Sequence, residues 1–191
     1  MLLWYLARGA GITAYLMLSL ATGAGAYTAR RSPRLEARGL VQYVHRSAAL
    51  CGVTMLALHI VTLVLDRYAA VGVGGALVPF ASGYRPAAVT LGVLSMYVLM
   101  AVVVSGVLRS RFASSERGAG VWRRIHLASY GAWALAAWHF LASGTDSSQW
   151  WARAVLFAGI AVVAGGVGAR LSERKPSTAQ PAKNALIGVM R

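Results

Sequence analysis

Residues 45–59 read HRSAALCGVTMLALH, an apolar stretch with a histidine at each end. A second stretch, residues 126–139, reads HLASYGAWALAAWH and also begins and ends on histidine. These four histidines are the only ones in the chain. At a rise of 1.5 Å per helical residue, each stretch separates its two histidines by about 20 Å. Two such helices lying side by side would bring histidines together at two matching depths.

The composition is typical of a helical membrane protein. The chain is 58% hydrophobic and only 13% charged, with a mean hydropathy of +0.58. Soluble domains contain about 25% charged residues, and here the charges are bunched between long apolar windows. We therefore predict an all-α polytopic membrane helix bundle over residues 1–175. Residues 176–191 are rich in proline and small polar residues, which predicts a short disordered cytoplasmic tail.

Five apolar segments approach the ~20 residues that a helix needs to cross a bilayer. These predicted spans are residues 2–27, 41–65, 86–108, 125–145 and 150–169. A further uncharged window, residues 68–84, contains four glycines and one proline. That composition suits a loop or a segment on the membrane surface better than a sixth span, although six spans remain possible.

The basic residues indicate how the chain is oriented. With five spans, one side of the membrane carries most arginines and both lysines, and the other side keeps only four arginines. The four are Arg8, Arg67, Arg85 and Arg153. The positive-inside rule then predicts an external N-terminus and a cytoplasmic C-terminus. The formal charge of +14 is explained by topology and headgroup contact, and no motif predicts binding to nucleic acid. The arginine, alanine and glycine content favours a bacterial cell membrane.

In this topology the histidines pair by depth. His45 and His126 lie near the cytoplasmic ends of their spans, and His59 and His139 lie near the outer ends; six spans would pair His126 with His59 instead. Thirteen residues miss a whole number of helical turns by about 140°, so His126 and His139 should not share a face of a straight helix. We therefore expect a bend or bulge between them, near Ser129 or Gly131, or else a large tilt of the helix.

Histidines paired at equal depth predict axial ligation of haem. Imidazole binds haem iron well, and helix bundles build cofactor sites from facing side chains. The alternative is that the histidines only form hydrogen bonds between helices, but four in two matched pairs favour haem. Cys51 is the only cysteine, so covalent attachment through a C-x-x-C-H motif is excluded. The prediction is two non-covalent, bis-histidine b-type haems between the second and fourth spans.

Several arginines near the histidines are candidates to bind the anionic haem propionates. They are Arg46, Arg123 and Arg124 at the inner end, and Arg8 and Arg85 at the outer end. The alternative role for each is headgroup contact or topology signalling. Asp146 follows His139 and is a candidate for the border of an outer site, but an ordinary loop carboxylate is the favoured interpretation.

The chain resembles the ferric reductase-like transmembrane domain superfamily. This superfamily includes NADPH oxidases, ferric reductases and the haem-binding subunit of the periplasmic methionine sulfoxide reductase system. The resemblance rests on the spacings His45-x13-His59 and His126-x12-His139, on WRRIH at 122–126, and on Arg8 in the first span. It covers residues 2–169. It implies two b-type haems and electron flow from a cytoplasmic flavin to an acceptor at the outer face.

The resemblance also implies partners, because no flavin- or NADPH-binding module is expected after the last span. The donor would be a separate flavoprotein or reductase, and the acceptor would be ferric iron, oxygen, a quinone or a partner redox protein. We therefore expect an electron-transfer protein that is one component of an oxidoreductase. The alternatives are a non-enzymatic haem-binding sensor or assembly subunit, and a small transporter with histidine proton relays. The scarcity of acidic residues in the spans argues against the transporter.

Overall fold

The computed structural model describes residues 1–29, 35–112 and 114–172 of the chain. Most of these residues are helical, and no strand occurs among them. The helices are α1 (Leu2–Thr28), α2 (Leu35–Leu65), α3 (Gly72–Leu77), α4 (Pro86–Val107), α5 (Arg109–Phe112), α6 (Glu116–Leu127), α7 (Ser129–Ser143) and α8 (Trp150–Ser172). A single 3₁₀ turn, Arg67–Ala69, precedes α3. The tail predicted at residues 176–191 lies outside the described residues.

Within the described ranges, four helices are long and apolar enough to cross a membrane. They cover Leu2–Thr28, Arg38–Leu65, Pro86–Val107 and Trp150–Ser172. Large apolar side chains on these helices point outward; Leu50 and Val107, for example, are 72% and 78% exposed. Such surfaces are stable against lipid and costly against water. Two parts of the prediction are thus confirmed for the described residues: the fold is all-helical, and it contains helices long enough to span a membrane.

The fourth predicted span, residues 125–145, is not one continuous helix. The chain forms α6 of 12 residues and α7 of 15 residues, separated at Ala128, where ψ is −13°. Ser115 caps the start of α6, because its side-chain oxygen accepts a hydrogen bond from the Gly118 N–H at 3.0 Å. The interruption lies between His126 and His139. It confirms the irregularity that their 13-residue spacing predicts, at the residue before Ser129.

Residues 68–84 contain no helix long enough to span a bilayer. Helix α3 has six residues, about 9 Å of helix, against the ~30 Å of a hydrocarbon core. Three small apolar residues of this segment, Ala69, Val71 and Ala76, are buried against the end of α2 and against Tyr84. The segment therefore folds back as a cover over one end of the bundle. This agrees with the loop or surface interpretation.

Helix α1 is the centre of the bundle, because it packs against α2, α7 and α8, whereas α4 packs against α7. Polar side chains connect these helices. The Tyr15 hydroxyl donates to the carbonyl of Leu156 at 3.0 Å, and the Trp133 indole N–H donates to the Ser19 hydroxyl at 2.9 Å. Between membrane helices, hydrogen bonds and small residues supply much of the association energy.

We expect Ser19→Ala to destabilise the packing of α1 against α7. The substitution removes the acceptor of the Trp133 N–H, which costs about 0.6–1.7 kcal/mol for a hydrogen bond between membrane helices. Thermal unfolding of the purified protein in detergent would measure the loss. The control is Ser172→Ala. Ser172 is exposed, and among the described residues its hydroxyl bonds to Gly168 of its own helix, so this variant should unfold like the wild type.

Candidate functional site

The inner histidines are neighbours in the folded bundle. The rings of His45 on α2 and His126 on α6 have centroids 6.2 Å apart and planes inclined at 61°. The helices that carry them are separated in sequence by α3, α4 and α5. The fold therefore brings together the same two residues that the five-span topology pairs by depth.

The outer histidines face a common cavity. His59 on α2 and His139 on α7 both line an apolar cavity of about 230 Å³. Met96 and Leu99 on α4 and Leu18 on α1 form part of its walls. The second pair predicted by depth is thus also brought together, and apolar side chains surround it.

The four histidines form pairs and not a larger cluster. In the part of the chain that the structure describes, no three histidine, cysteine or acidic side chains gather closely enough to hold a metal ion. A bare zinc ion usually needs three or four protein ligands, whereas a haem iron already has four equatorial nitrogens and needs only two axial ligands. Paired imidazoles therefore suit haem better than a free metal ion.

Three of the four rings form a hydrogen bond from Nδ1 to the backbone of a neighbouring helix. The bonds join His45 to the carbonyl of Ala21 at 2.7 Å, His59 to that of Ala7 at 2.7 Å, and His139 to that of Ala88 at 2.8 Å. A carbonyl oxygen only accepts, so Nδ1 carries the hydrogen in each ring. Nε2 then keeps its lone pair, and this is the arrangement by which proteins orient metal-binding histidines.

A glycine lies against each histidine ring, and we call these four residues the cradle glycines. They are Gly11 against His59, Gly25 against His45, Gly92 against His139 and Gly106 against His126. A Cβ atom on Gly11 would lie 2.8 Å from Nδ1 of His59, and one on Gly92 would lie 2.9 Å from Nδ1 of His139. The rings therefore occupy space that any other residue would fill. At Gly25 the corresponding distance is 3.2 Å, and at Gly106 it is 3.8 Å to Cε1.

The cradle glycines reveal an internal repeat. Gly11 and Gly25 lie 14 residues apart on α1, and Gly92 and Gly106 lie 14 residues apart on α4. In each hairpin the first helix contributes glycines and the following helical segments contribute histidines. None of these glycines was predicted from the sequence. The available signal was their spacing of 14 residues, which equals the His45–His59 spacing and exceeds the His126–His139 spacing by one residue.

His126 differs from the other three histidines. Its Nδ1 atom is buried and has no hydrogen-bond partner among the described residues. The ring instead stacks on Trp122, with centroids 5.0 Å apart and planes at 20°. The Arg109 guanidinium in turn lies over the Trp122 ring, 5.0 Å from its centroid. Arg109 and Trp122 therefore lie beside the inner pair, and Arg109 was not among the arginines predicted there.

The predicted inner arginines lie at the surface near the inner pair. Arg46, Arg123 and Arg124 are all exposed. Among the residues with described side chains, none of the three takes part in an ion pair. Binding of haem propionates by these arginines stays a prediction.

At the outer end, Arg8 forms an ion pair with Asp146. The Arg8 guanidinium also lies 6.0 Å from the centre of the Trp151 ring. All three residues line the outer cavity, and Arg8 and Asp146 are 31% and 27% exposed. They therefore form the rim of the cavity. Asp146 lies on the loop between α7 and α8, as predicted, and its ion pair with Arg8 places it at the border of the cavity.

The start of α4 is tied to the end of α7 beside the outer pair. The Tyr84 hydroxyl donates to the carbonyl of Ser143 at 2.9 Å, and the Arg85 guanidinium donates to that of Ala142 at 2.9 Å. These carbonyls follow His139 by four and three residues. Arg85 thus anchors the end of α7 next to His139, and its role as a propionate partner stays a prediction.

Two pairs of imidazoles therefore lie in an apolar helical bundle. Backbone carbonyls hold three of the four rings, and a cradle glycine lies against each ring. No known protein family, curated protein or solved structure matches the chain. The function is accordingly inferred from the residues of the site.

Proposed function

We propose that this chain is a di-haem transmembrane electron carrier. His45 and His126 would hold the inner b-type haem, and His59 and His139 would hold the outer one. The observation that carries this proposal is the hydrogen bonding of the rings. Three imidazoles donate Nδ1–H to a backbone carbonyl and so keep Nε2 available as a ligand.

The residues present fit a porphyrin. The outer pair lies in an apolar cavity of about 230 Å³, which suits an apolar macrocycle. At the outer pair, Gly11 and Gly92 leave room beside the rings where a Cβ atom would collide. Two histidines per iron would leave no open axial position for oxygen, which favours electron transfer.

Haem bound at these two sites would supply reversible one-electron transfer. The chain's own residues would contribute the rest. The apolar walls exclude water, and the Nδ1–carbonyl bonds keep the rings in place, so little rearrangement would accompany a change of charge. The 14-residue separation of His45 and His59 corresponds to about 21 Å along α2. Two sites at that separation would connect one half of the bilayer to the other.

The direction of transfer follows from the charges in this proposal. With α6 and α7 together as the fourth of five spans, the N-terminus lies outside a bacterial cell membrane and the C-terminus lies in the cytoplasm. The exposed arginines at the inner end, Arg46, Arg123 and Arg124, suit a docking face for an acidic partner. That partner would be a cytoplasmic flavoprotein or reductase. The acceptor at the outer end would be ferric iron, oxygen, a quinone or a redox protein.

We expect membranes that contain the protein to show the absorption bands of reduced b-type haem after addition of dithionite. Haem extraction should yield about two haems per chain, because each histidine pair fills two axial positions. A variant with all four histidines replaced by alanine is the control and should show no such bands. Absence of the bands from wild-type protein purified after expression with added haem precursor would contradict the proposal.

A separate measurement distinguishes an electron carrier from a haem-binding sensor. The protein is placed in vesicles with an impermeant oxidant inside and a reductant outside. A carrier would pass electrons from the reductant to the oxidant, so the oxidant would reoxidise both haems. A sensor would hold its haems without passing electrons between the two compartments. The His139→Ala variant is the control, because loss of the outer site should stop transfer.

A further inference from the structure

The internal repeat assigns one backbone carbonyl to each histidine. Where His59, His45 and His139 form their Nδ1 bonds, the accepting carbonyl lies four residues, about one helical turn, before the cradle glycine. The acceptor and glycine pairs are Ala7 and Gly11, Ala21 and Gly25, and Ala88 and Gly92. In the same register, the carbonyl assigned to His126 belongs to Val102, four residues before Gly106.

A serine already occupies that carbonyl. The Ser105 hydroxyl donates to the carbonyl of Val102 at 2.7 Å. Ser105 is buried, with 3% of its surface exposed. Meanwhile the Nδ1 atom of His126 is buried without a partner among the described residues. The one histidine that lacks its backbone bond is thus the one whose expected acceptor is taken.

The sequence explains why this happens only once. The residue directly before each cradle glycine lies three residues after the acceptor, where a hydroxyl can bond back to the acceptor carbonyl. Those four residues are Ala10, Ala24, Leu91 and Ser105. Only the last carries a hydroxyl group. The other three cannot compete with a histidine.

We infer that Ser105 competes with His126 for the carbonyl of Val102 and thereby raises the reduction potential of the inner haem. This inference rests on the proposed haem binding. A hydrogen bond from Nδ1 makes an imidazole a more basic ligand, and a more basic ligand favours ferric iron. By taking the acceptor, Ser105 keeps His126 the weaker ligand of the inner pair. Ser105 is a positioning residue, since it acts on the haem only through His126.

The stacking of His126 on Trp122 supports this assignment. A ring without a backbone hydrogen bond needs another restraint, and the Trp122 ring lies nearly parallel to it at 5.0 Å. His45, the other inner histidine, keeps its bond to Ala21. The two ligands of the inner site are therefore unequal in their surroundings, and Ser105 is the cause.

The test is a redox titration of the purified haem-loaded protein, followed by absorbance. We expect Ser105→Ala to free the carbonyl of Val102, allow the His126 bond and move the inner midpoint to lower potential. The outer midpoint should stay where it is. Ser105→Thr keeps the hydroxyl and should keep the wild-type midpoints. The inner midpoint is identified as the one that remains in the His139→Ala variant.

A converse substitution tests the same competition on the other ligand. Ala24→Ser places a hydroxyl three residues after Ala21, the acceptor of His45. We expect it to compete for that carbonyl and move the inner midpoint to higher potential, opposite to Ser105→Ala. Equal shifts of both midpoints in either variant would indicate a general structural change and overturn the inference.

A measurement without haem separates this inference from the proposed function. Nitrogen NMR of ¹⁵N-histidine-labelled, haem-free protein, at a pH where histidine is neutral, reports hydrogen bonding at each Nδ1. Three bonded signals are expected in the wild type and four in Ser105→Ala. Unchanged signals would overturn the competition, whether or not haem binds. Changed signals with unchanged midpoints would overturn the effect on potential, and failure of the wild type to bind haem would contradict the proposed function alone.

Discussion

Replacement of His139 by alanine is expected to reduce the haem content from about two haems per chain to about one, because the outer iron would lose one of its two axial ligands. His139 and His59 line the same cavity, so His59→Ala should remove the same haem. The inner pair lies at the other end of α2 and should be unaffected. Pyridine haemochrome analysis gives the stoichiometry, and redox titration shows which midpoint is lost.

The control for His139→Ala is the neighbouring residue on α7. Trp138 is 64% exposed, so Trp138→Ala should retain both haems and both midpoints. Retention of two haems by His139→Ala would contradict its role as a ligand. Loss of both haems from a variant that keeps its helical circular dichroism would contradict two independent sites.

Gly92→Ala is expected to disrupt the outer site, whereas Gly106→Ala on the same helix should be tolerated. A Cβ atom on Gly92 would lie 2.9 Å from His139, closer than van der Waals contact allows, so the ring or α7 must move. Overpacking of this kind costs about 1–3 kcal/mol. At Gly106 the nearest atom, Cε1 of His126, is 3.8 Å away, which is an ordinary contact distance.

Haem content and thermal unfolding measure both glycine variants. Gly92→Ala should lower the unfolding temperature and the occupancy of the outer haem. Gly106→Ala should retain both haems and gain up to about 1 kcal/mol from the better helix propensity of alanine. Both substitutions replace glycine by alanine on α4, so helix propensity affects both variants in the same direction. A difference between them must therefore come from the contact with the histidine ring. Equal behaviour of the two variants would contradict the role of Gly92 as a cradle.

The pairing of the histidines could be predicted from one-dimensional features. Helical rise converts the spacing of His45 and His59 into depth, and the asymmetry of the arginines predicts which way each span runs. The break between His126 and His139 was also predictable, because 13 residues do not make a whole number of turns. The structure brings His45 beside His126 and places the break at Ala128.

Other parts of the site depend on how distant segments pack. Asp146 meets Arg8 across most of the chain, and Arg109 lies over Trp122 only because α6 turns back after α5. In the sequence, the cradle glycines cannot be told from the many other glycines of this apolar chain. Only the fold places a histidine ring against each of the four. Contacts of this kind depend on interhelical distance, which no single segment encodes.

The sequence by itself determined that this chain builds membrane-length helices with histidines at two depths, because hydropathy, charge and helical rise are properties of individual segments. Only the tertiary structure decided which backbone carbonyl each ring contacts and that Ser105 occupies the one assigned to His126. The physical reason is that these bonds depend on the register between two neighbouring helices. A shift of one residue, about 1.5 Å along the axis and 100° around it, would present a different carbonyl to the ring.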